Sequence, residues 1–322
     1  DGEWVKAKGT TLGADNGLGV AAIMAVLEDK SLKHGPLEAL ITTDEETGMV
    51  GAFGLKQGTV NGEILLNLDS EDEGELYIGC AGGIDVTASM EYKGDKADAD
   101  DVFMLINLKG LRGGHSGLEI NEGRGNANKL IVRIVQSAIE NLDAYLVRWN
   151  GGNMRNAIPR EAEVVLAVSA AQQQELIDLV ADFKDTFIDE YKGIENDIVI
   201  EVGVVNEKAD VVPVDVRDSL VSAIHACQNG VTRMIPSVPD TVETSSNLAI
   251  IEIDSTHAAF KILARSSSDS MKDYLTDSLA DCFKLAGMKV ETSGSYSGWQ
   301  PNVDSPILAA MKASYKDQFG VE

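Results

Sequence analysis

Apolar and polar positions over the first eighty residues follow two alternating periods. EWVKAKG, residues 3–9, reads as a strand. GLGVAAIMAVLED, residues 17–29, places Leu18, Ala21, Ala22, Ala25 and Val26 on one helical face. LEALITT (37–43) reads as a buried strand, GMVGAFGL (48–55) as a short helix, and GEILLNLD (62–69) as another strand. Strands that alternate with helices predict an α/β layer with a largely parallel sheet.

The pattern changes at a glycine-rich joint, GCAGGID, residues 79–85. From there to about residue 290 the strands are longer and more polar, with two amphipathic helices placed after strand pairs. AEVVLAVSA, QQELIDLVADFKDTFIDEY and DIVIEVG form one strand–helix–strand series. NLAIIEID with AAFKILARSS, then DSMKDYLTDSLADCFKLAG and MKVETSG, form a second. This reads as one α+β unit used twice, a duplicated ferredoxin-like arrangement. A second joint, SGSYSG (293–298), precedes a loop that enters a final helix in WQPNVDSPILAAMKASYKDQFG. The expected organisation is a catalytic α/β domain (1–82), an inserted α+β lid (83–294) and a return to the first domain (295–322).

With 27 basic and 52 acidic side chains, the 322-residue chain carries a formal charge of −25. Such a chain repels nucleic acid and anionic membranes, so neither is an expected partner. Cys80, Cys227 and Cys282 lie far apart without C-x-x-C spacing. That suits a reducing compartment, the cytoplasm, and argues against a thiolate zinc site. The longest fully apolar stretch, VAAIMAVL, is too short to span a bilayer.

Three acidic positions share one context. Asp15 stands in TTLGADNGLG ahead of the first helix, Glu45 and Glu46 follow LEALITTD, and Asp69 ends EILLNLD. Singly, each is most simply a helix cap or a dipole partner. Together, at the carboxyl ends of neighbouring strands, they would converge where α/β sheets bind ligands. Asp15, Glu46 and Asp69 would then be oxygen ligands, with Glu45 left over as a base. Two divalent ions bridged by one carboxylate activate water and polarise a carbonyl. A free carboxylate beside them can take the water's proton and return it to the leaving amine.

TTLGADNGLGVAAIMA, ALITTDEETGMVGA and LLNLDSEDEGELYIGCAGG resemble the co-catalytic zinc metallopeptidase family that includes carboxypeptidase G and peptidase T. Within it the chain is most similar to the branch of dipeptidases that cleave unblocked Xaa-His substrates, and the similarity extends through the inserted lid. The resemblance implies two zinc ions, for which manganese or cobalt can substitute in a carboxylate-rich site. It implies that Asp15 bridges them beside a cis peptide to Asn16, that Glu46 and Asp69 each bind one ion, and that Glu45 is the general base. His115, in LRGGHSGLEI, would stabilise the oxyanion, supplied by the partner subunit in lid-dimerised relatives. Asn156, in NMRNAIP, and Arg265, in KILARSSS, would hold the substrate, Arg265 by a two-pronged grip on a free carboxylate. A homodimer through the lid is implied as well. Each residue also has an ordinary reading: an idle loop histidine, a turn asparagine, a strand-end surface charge.

The family pattern also needs two histidine ligands, one in an H-x-D motif upstream and one after the lid. This chain has no histidine before His34 and none after His257. The expectation is therefore a fragment cut at both ends that binds zinc weakly and turns over little. A tripeptidase or deacylase of the same family, and a non-catalytic acidic binding or dimerisation protein, are the competing readings.

Overall fold

The computed structural model describes residues 2, 4–10, 12–46, 48–70 and 72–321. The chain divides into two compact units, Asp1–Tyr77 with Asp304–Glu322, and Ile78–Val303.

In the first unit, helix α1 (Ala14–Glu28) forms where a helix was expected, but the expected face of Leu18, Ala21, Ala22, Ala25 and Val26 is exposed and Gly19 is its buried residue. Its first turn is not helical: Asp15 and Asn16 have non-helical backbone angles, and the bond between them is cis. Helix α2 (Val50–Phe53) is a single turn entered through Met49 in the left-handed region. The strands expected at 3–9, 37–43 and 62–69 do not form; Glu3, at the start of the first, lies outside the described residues. This corrects the largely parallel sheet. A parallel strand needs a laddered neighbour and cover on both faces. These segments have neither among the described residues: Ile41 is 59% exposed and Leu65 76%.

The second unit opens with β1 (Gly82–Glu91), β2 (Asp95–Lys96), β3 (Asp101–Lys109) and β4 (Gly114–His115). Helix α3 (Ala127–Leu142) follows, then β5 (Tyr145–Gly151), β6 (Ala157–Ile158) and β7 (Ala162–Ser169). Helix α4 (Gln173–Glu190), β8 (Val199–Val204), β9 (Asp210–Val211) and α5 (Val214–Ala226) come next. The unit closes with β10 (Gly230–Met234), β11 (Val242–Ile253), β12 (His257–Ser266), α6 (Asp269–Leu285) and β13 (Lys289–Tyr296).

The main sheet runs β13-β1-β12-β11-β5-β7-β3-β8, with β10 also on β11, and every pair is antiparallel. Within it, β3-α3-β5-β7-α4-β8 and β1-α5-β11-β12-α6-β13 have the same strand–helix order. They meet edge to edge where β11 pairs with β5. Four helices, rather than the expected two, accompany this sheet. Leu130, Ile131, Ile134, Val135 and Ala138 of α3 form one buried face, joined in the core by Phe187, Leu220 and Phe283 from α4, α5 and α6. Helix α3 starts at a capping asparagine, Asn126, whose side chain accepts from the Asn128 and Lys129 amides. Lys129 Nζ in turn donates to the carbonyls of Ile224, His225 and Cys227, closing the C-terminal end of α5.

Helix α7 (Pro306–Phe319) returns the chain to the first unit. Pro306 occupies the first turn, where its missing amide costs nothing, and Gly320 ends the helix at φ 74°. No helix among the described residues is long and apolar enough to cross a membrane.

Candidate functional site

The acids of the first unit are drawn together by hydrogen bonds from their neighbours. Asn16 Nδ2 donates to the Leu68 carbonyl at 2.8 Å, one residue before Asp69. Asn16 Oδ1 accepts the Gly19 amide at 2.7 Å, so one side chain ties the start of α1 to the segment ending at Asp69. A Cβ on Gly19 would lie 2.5–2.8 Å from the Asn16 side chain, so this packing requires glycine. The loop carrying Glu45 and Glu46 is held by the Gly48 and Met49 amides on the Glu45 carbonyl and by Gly51 on Thr43. Thr47, within that loop, lies outside the described residues.

The electrostatics show which acids meet. The Glu46 carboxyl titrates above its ordinary value, first because it shares a hydrogen bond with Asp15. The charges of Glu45 and Asp15, desolvation and Asp69 act in the same direction. Asp15, Glu45, Glu46 and Asp69 therefore occupy one neighbourhood. Like charges gathered in this way are unfavourable unless a proton or a cation lies among them. The donors are all oxygen, which suits a divalent cation. Yet among the described residues no three His, Cys, Asp or Glu side chains stand in metal-holding geometry. The acids thus fit a metal in donor chemistry but do not complete its ligand shell.

The second unit assembles the other candidates. His115 lies opposite Ala157 in the β4–β6 pair, and the Ser116 amide donates to the Asn156 carbonyl at 2.8 Å. Asn156 itself is exposed. The Gly117 amide donates to His115 Nδ1 at 3.2 Å, which leaves the neutral imidazole's hydrogen on Nε2. Burial, and then the Arg265 charge, hold the imidazole below its ordinary pKa, with Glu119 opposing them. A Cβ on Gly117 would lie 3.0 Å from His115 Cε1 and 3.4 Å from Arg265 Cζ, so Gly117 lets these two side chains approach. The loop is braced by Glu119, which accepts the His115 amide at 2.6 Å and pairs with Arg124 at 2.5 Å.

Supporting residues of this second cluster were missed at the sequence level. Asn247, almost wholly buried, donates to the carbonyls of Arg155 and Ala157 on either side of Asn156. Tyr296 accepts a hydrogen bond from Arg265 Nη1 at 3.1 Å. A polar residue opening the apolar run NLAIIEI was the one available hint of the first. The second depends on strand register, which the sequence does not display.

The cluster in the second unit falls within or beside a recognised module: residues 106–195 match the peptidase dimerisation domain. The chain is 44% identical over 320 residues to the cytosol non-specific dipeptidase of Escherichia coli (strain K12), covering 99% of this chain and 66% of that protein. It is 46% identical to the crystal structure of aminoacylhistidine dipeptidase from Vibrio alginolyticus, with a TM-score of 0.95, covering 99% of this chain and 65% of that one. A third relative, the uncharacterized protein YqjE of Bacillus subtilis (strain 168), is 29% identical over 57% of this chain and 47% of its own length. The chain thus spans about two thirds of the length of the two dipeptidases it matches.

Proposed function

We propose that this chain, a homologue of those two dipeptidases, acts as a metal-dependent dipeptidase on unblocked dipeptides, Xaa-His substrates among them. What carries the reading is the likeness to the two dipeptidases over 99% of this chain, together with the Asn16 bonds that tie the Asp15 turn to the segment ending at Asp69. Asp15, Glu46 and Asp69 would hold the metal, with zinc at two positions as the form tested first. When bound, the metal supplies Lewis acidity toward the scissile carbonyl and a more acidic water.

The chain's own residues account for the remaining steps. Glu45 takes the proton of the attacking water and delivers it to the leaving amine. His115, neutral and protonated on Nε2, donates to the carbonyl oxygen as negative charge develops there. Arg265 receives the free carboxylate of the substrate, and Asn156 orients the bond to be cleaved. The dimerisation domain supports assembly as a homodimer through the second unit. A cytoplasmic location agrees with the three unpaired cysteines and with the name of the Escherichia coli relative.

The test is zinc-dependent release of free histidine from Xaa-His dipeptides, compared between the protein and its Glu45→Gln variant. Removing a general base is expected to lower kcat by about 100-fold or more, while zinc uptake stays near that of the parent. Preference for tripeptides or N-acylated amino acids would favour the deacylase or tripeptidase alternative. Zinc-independent ligand binding without turnover would make the chain a binding protein on this scaffold.

A further inference from the structure

Three adjacent strands place three residues in one row. Arg265 on β12 is paired with Gly83 on β1, and Gly83 is paired with Tyr296 on β13. Arg265 and Tyr296 are therefore two strands apart, roughly 10 Å between backbones. The residue between them has no side chain. The hydroxyl end of Tyr296 lies across that gap and accepts the Arg265 Nη1 hydrogen at 3.1 Å. A Cβ on Gly83 would lie 2.7–2.8 Å from Oη, Cε1 and Cζ of the ring, so glycine is what admits the contact.

The backbone of Tyr296 is held in place as well. Lys272, nearly buried, donates from Nζ to the Tyr296 carbonyl at 2.7 Å and pairs with Asp269 at 3.1 Å. On its other side, the Arg265 guanidinium stands beside Gly117 and the His115 ring. Its Nε is buried without a hydrogen-bond partner, so Tyr296 supplies the fixed contact on the fork. Because the phenol oxygen already accepts from Arg265, its own hydrogen remains free to donate, and no acceptor for it occurs among the described residues.

We propose that Tyr296 is a positioning and specificity residue that aims the Arg265 fork and adds its own O–H as a further donor to a ligand carboxylate. This rests on the assignment of Arg265 to the substrate's free carboxylate. An ionised carboxylate offers about four acceptor sites, enough for two guanidinium N–H groups and one phenol. A C-terminal amide carries no charge and accepts fewer hydrogens, so Tyr296 separates free dipeptides from blocked ones.

Tyr296→Phe keeps the ring over Gly83 and removes only the oxygen. The expected result is a KM about tenfold higher for a free dipeptide, with kcat within about twofold and no change for the same dipeptide's C-terminal amide. Gly83→Ala should reproduce the effect by displacing the ring, and the double variant should add nothing further. Calorimetric titration of the same dipeptide into metal-free protein separates the two readings. Binding that weakens about tenfold in Tyr296→Phe, on a protein that hydrolyses nothing, would leave this inference standing and remove the dipeptidase. Equal losses on acid and amide, no loss at all, or no binding by the parent protein would overturn it.

Discussion

Replacing Asn247 with alanine is expected to destabilise the second unit by about 2–4 kcal/mol. Asn247 lies in β11, 1% exposed, and its Nδ2 donates to the Ala157 carbonyl at 2.7 Å and the Arg155 carbonyl at 3.2 Å. Each bond contributes about 1 kcal/mol net, and a carbonyl left without a donor costs about 1–3 kcal/mol more when water cannot reach it. Arg155 and Ala157 are only half-buried, so the low end of that penalty applies. Asn247→Asp sharpens the test, because it keeps the shape and turns an oxygen toward both carbonyls. It should be at least as damaging as alanine.

Urea unfolding followed by tryptophan fluorescence measures the loss. Trp149 in β5 is wholly buried, whereas Trp4 and Trp299 are exposed, so the signal change reports on the second unit. Hydrogen exchange at the Ser116 amide, bonded to the Asn156 carbonyl, reads the tethered loop separately. It should quicken more than exchange in β7. An aspartate variant as stable as the parent would refute the reasoning, because shape alone would then account for Asn247.

Two further outcomes are expected. By NMR, His115 should titrate below 6.5, the midpoint rising in Arg265→Met and falling further in Glu119→Gln. Because folding lowers this pKa, the unfolded chain binds the proton first, so the contribution of His115 to stability rises with pH from the lowered value to 6.5; a midpoint above 6.5 would reverse that slope. Gly19→Ala should push Asn16 off the Leu68 carbonyl and weaken zinc uptake by roughly tenfold, the scale of a lost supporting contact. Chelator competition measures this, and unchanged uptake would separate Asn16 from the acids.

Helices α1, α4, α6 and α7 fall where helices were expected; α4 and α6 bury an apolar face written in a local 3–4 spacing, whereas the face expected of α1 is exposed and α7 buries no residue. The face of α3, with Leu130, Ile131, Ile134 and Val135, has the same spacing and was there to be read. The strands behaved differently. An apolar run such as LEALITT or GEILLNLD signals a segment suited to burial, but a ladder also needs a partner, and that partner is not written nearby. In β1 the partner of Glu91 is His257 and that of Gly82 is Ser266, which no local pattern could name. The antiparallel sheet of the second unit is a property of such distant pairings.

The same division runs through the candidate site. Asp15, Glu45, Glu46 and Asp69 could be nominated as candidates because acids at the ends of apolar runs are a local signal, and Asn16 ties the start of α1 to the run ending at Asp69 with a single side chain. Gly83 was not. In GCAGGID it reads as part of a flexible joint, yet it sits inside β1 with Arg265 on one side and Tyr296 on the other. Its function is to leave space, and the value of that space depends on what register brings to its edges. A glycine inside a strand therefore asks which side chains meet across it. For Gly83 the answer is an arginine hydrogen-bonded to a tyrosine, so the selectivity proposed for Arg265 rests on a position that carries no chemical group of its own.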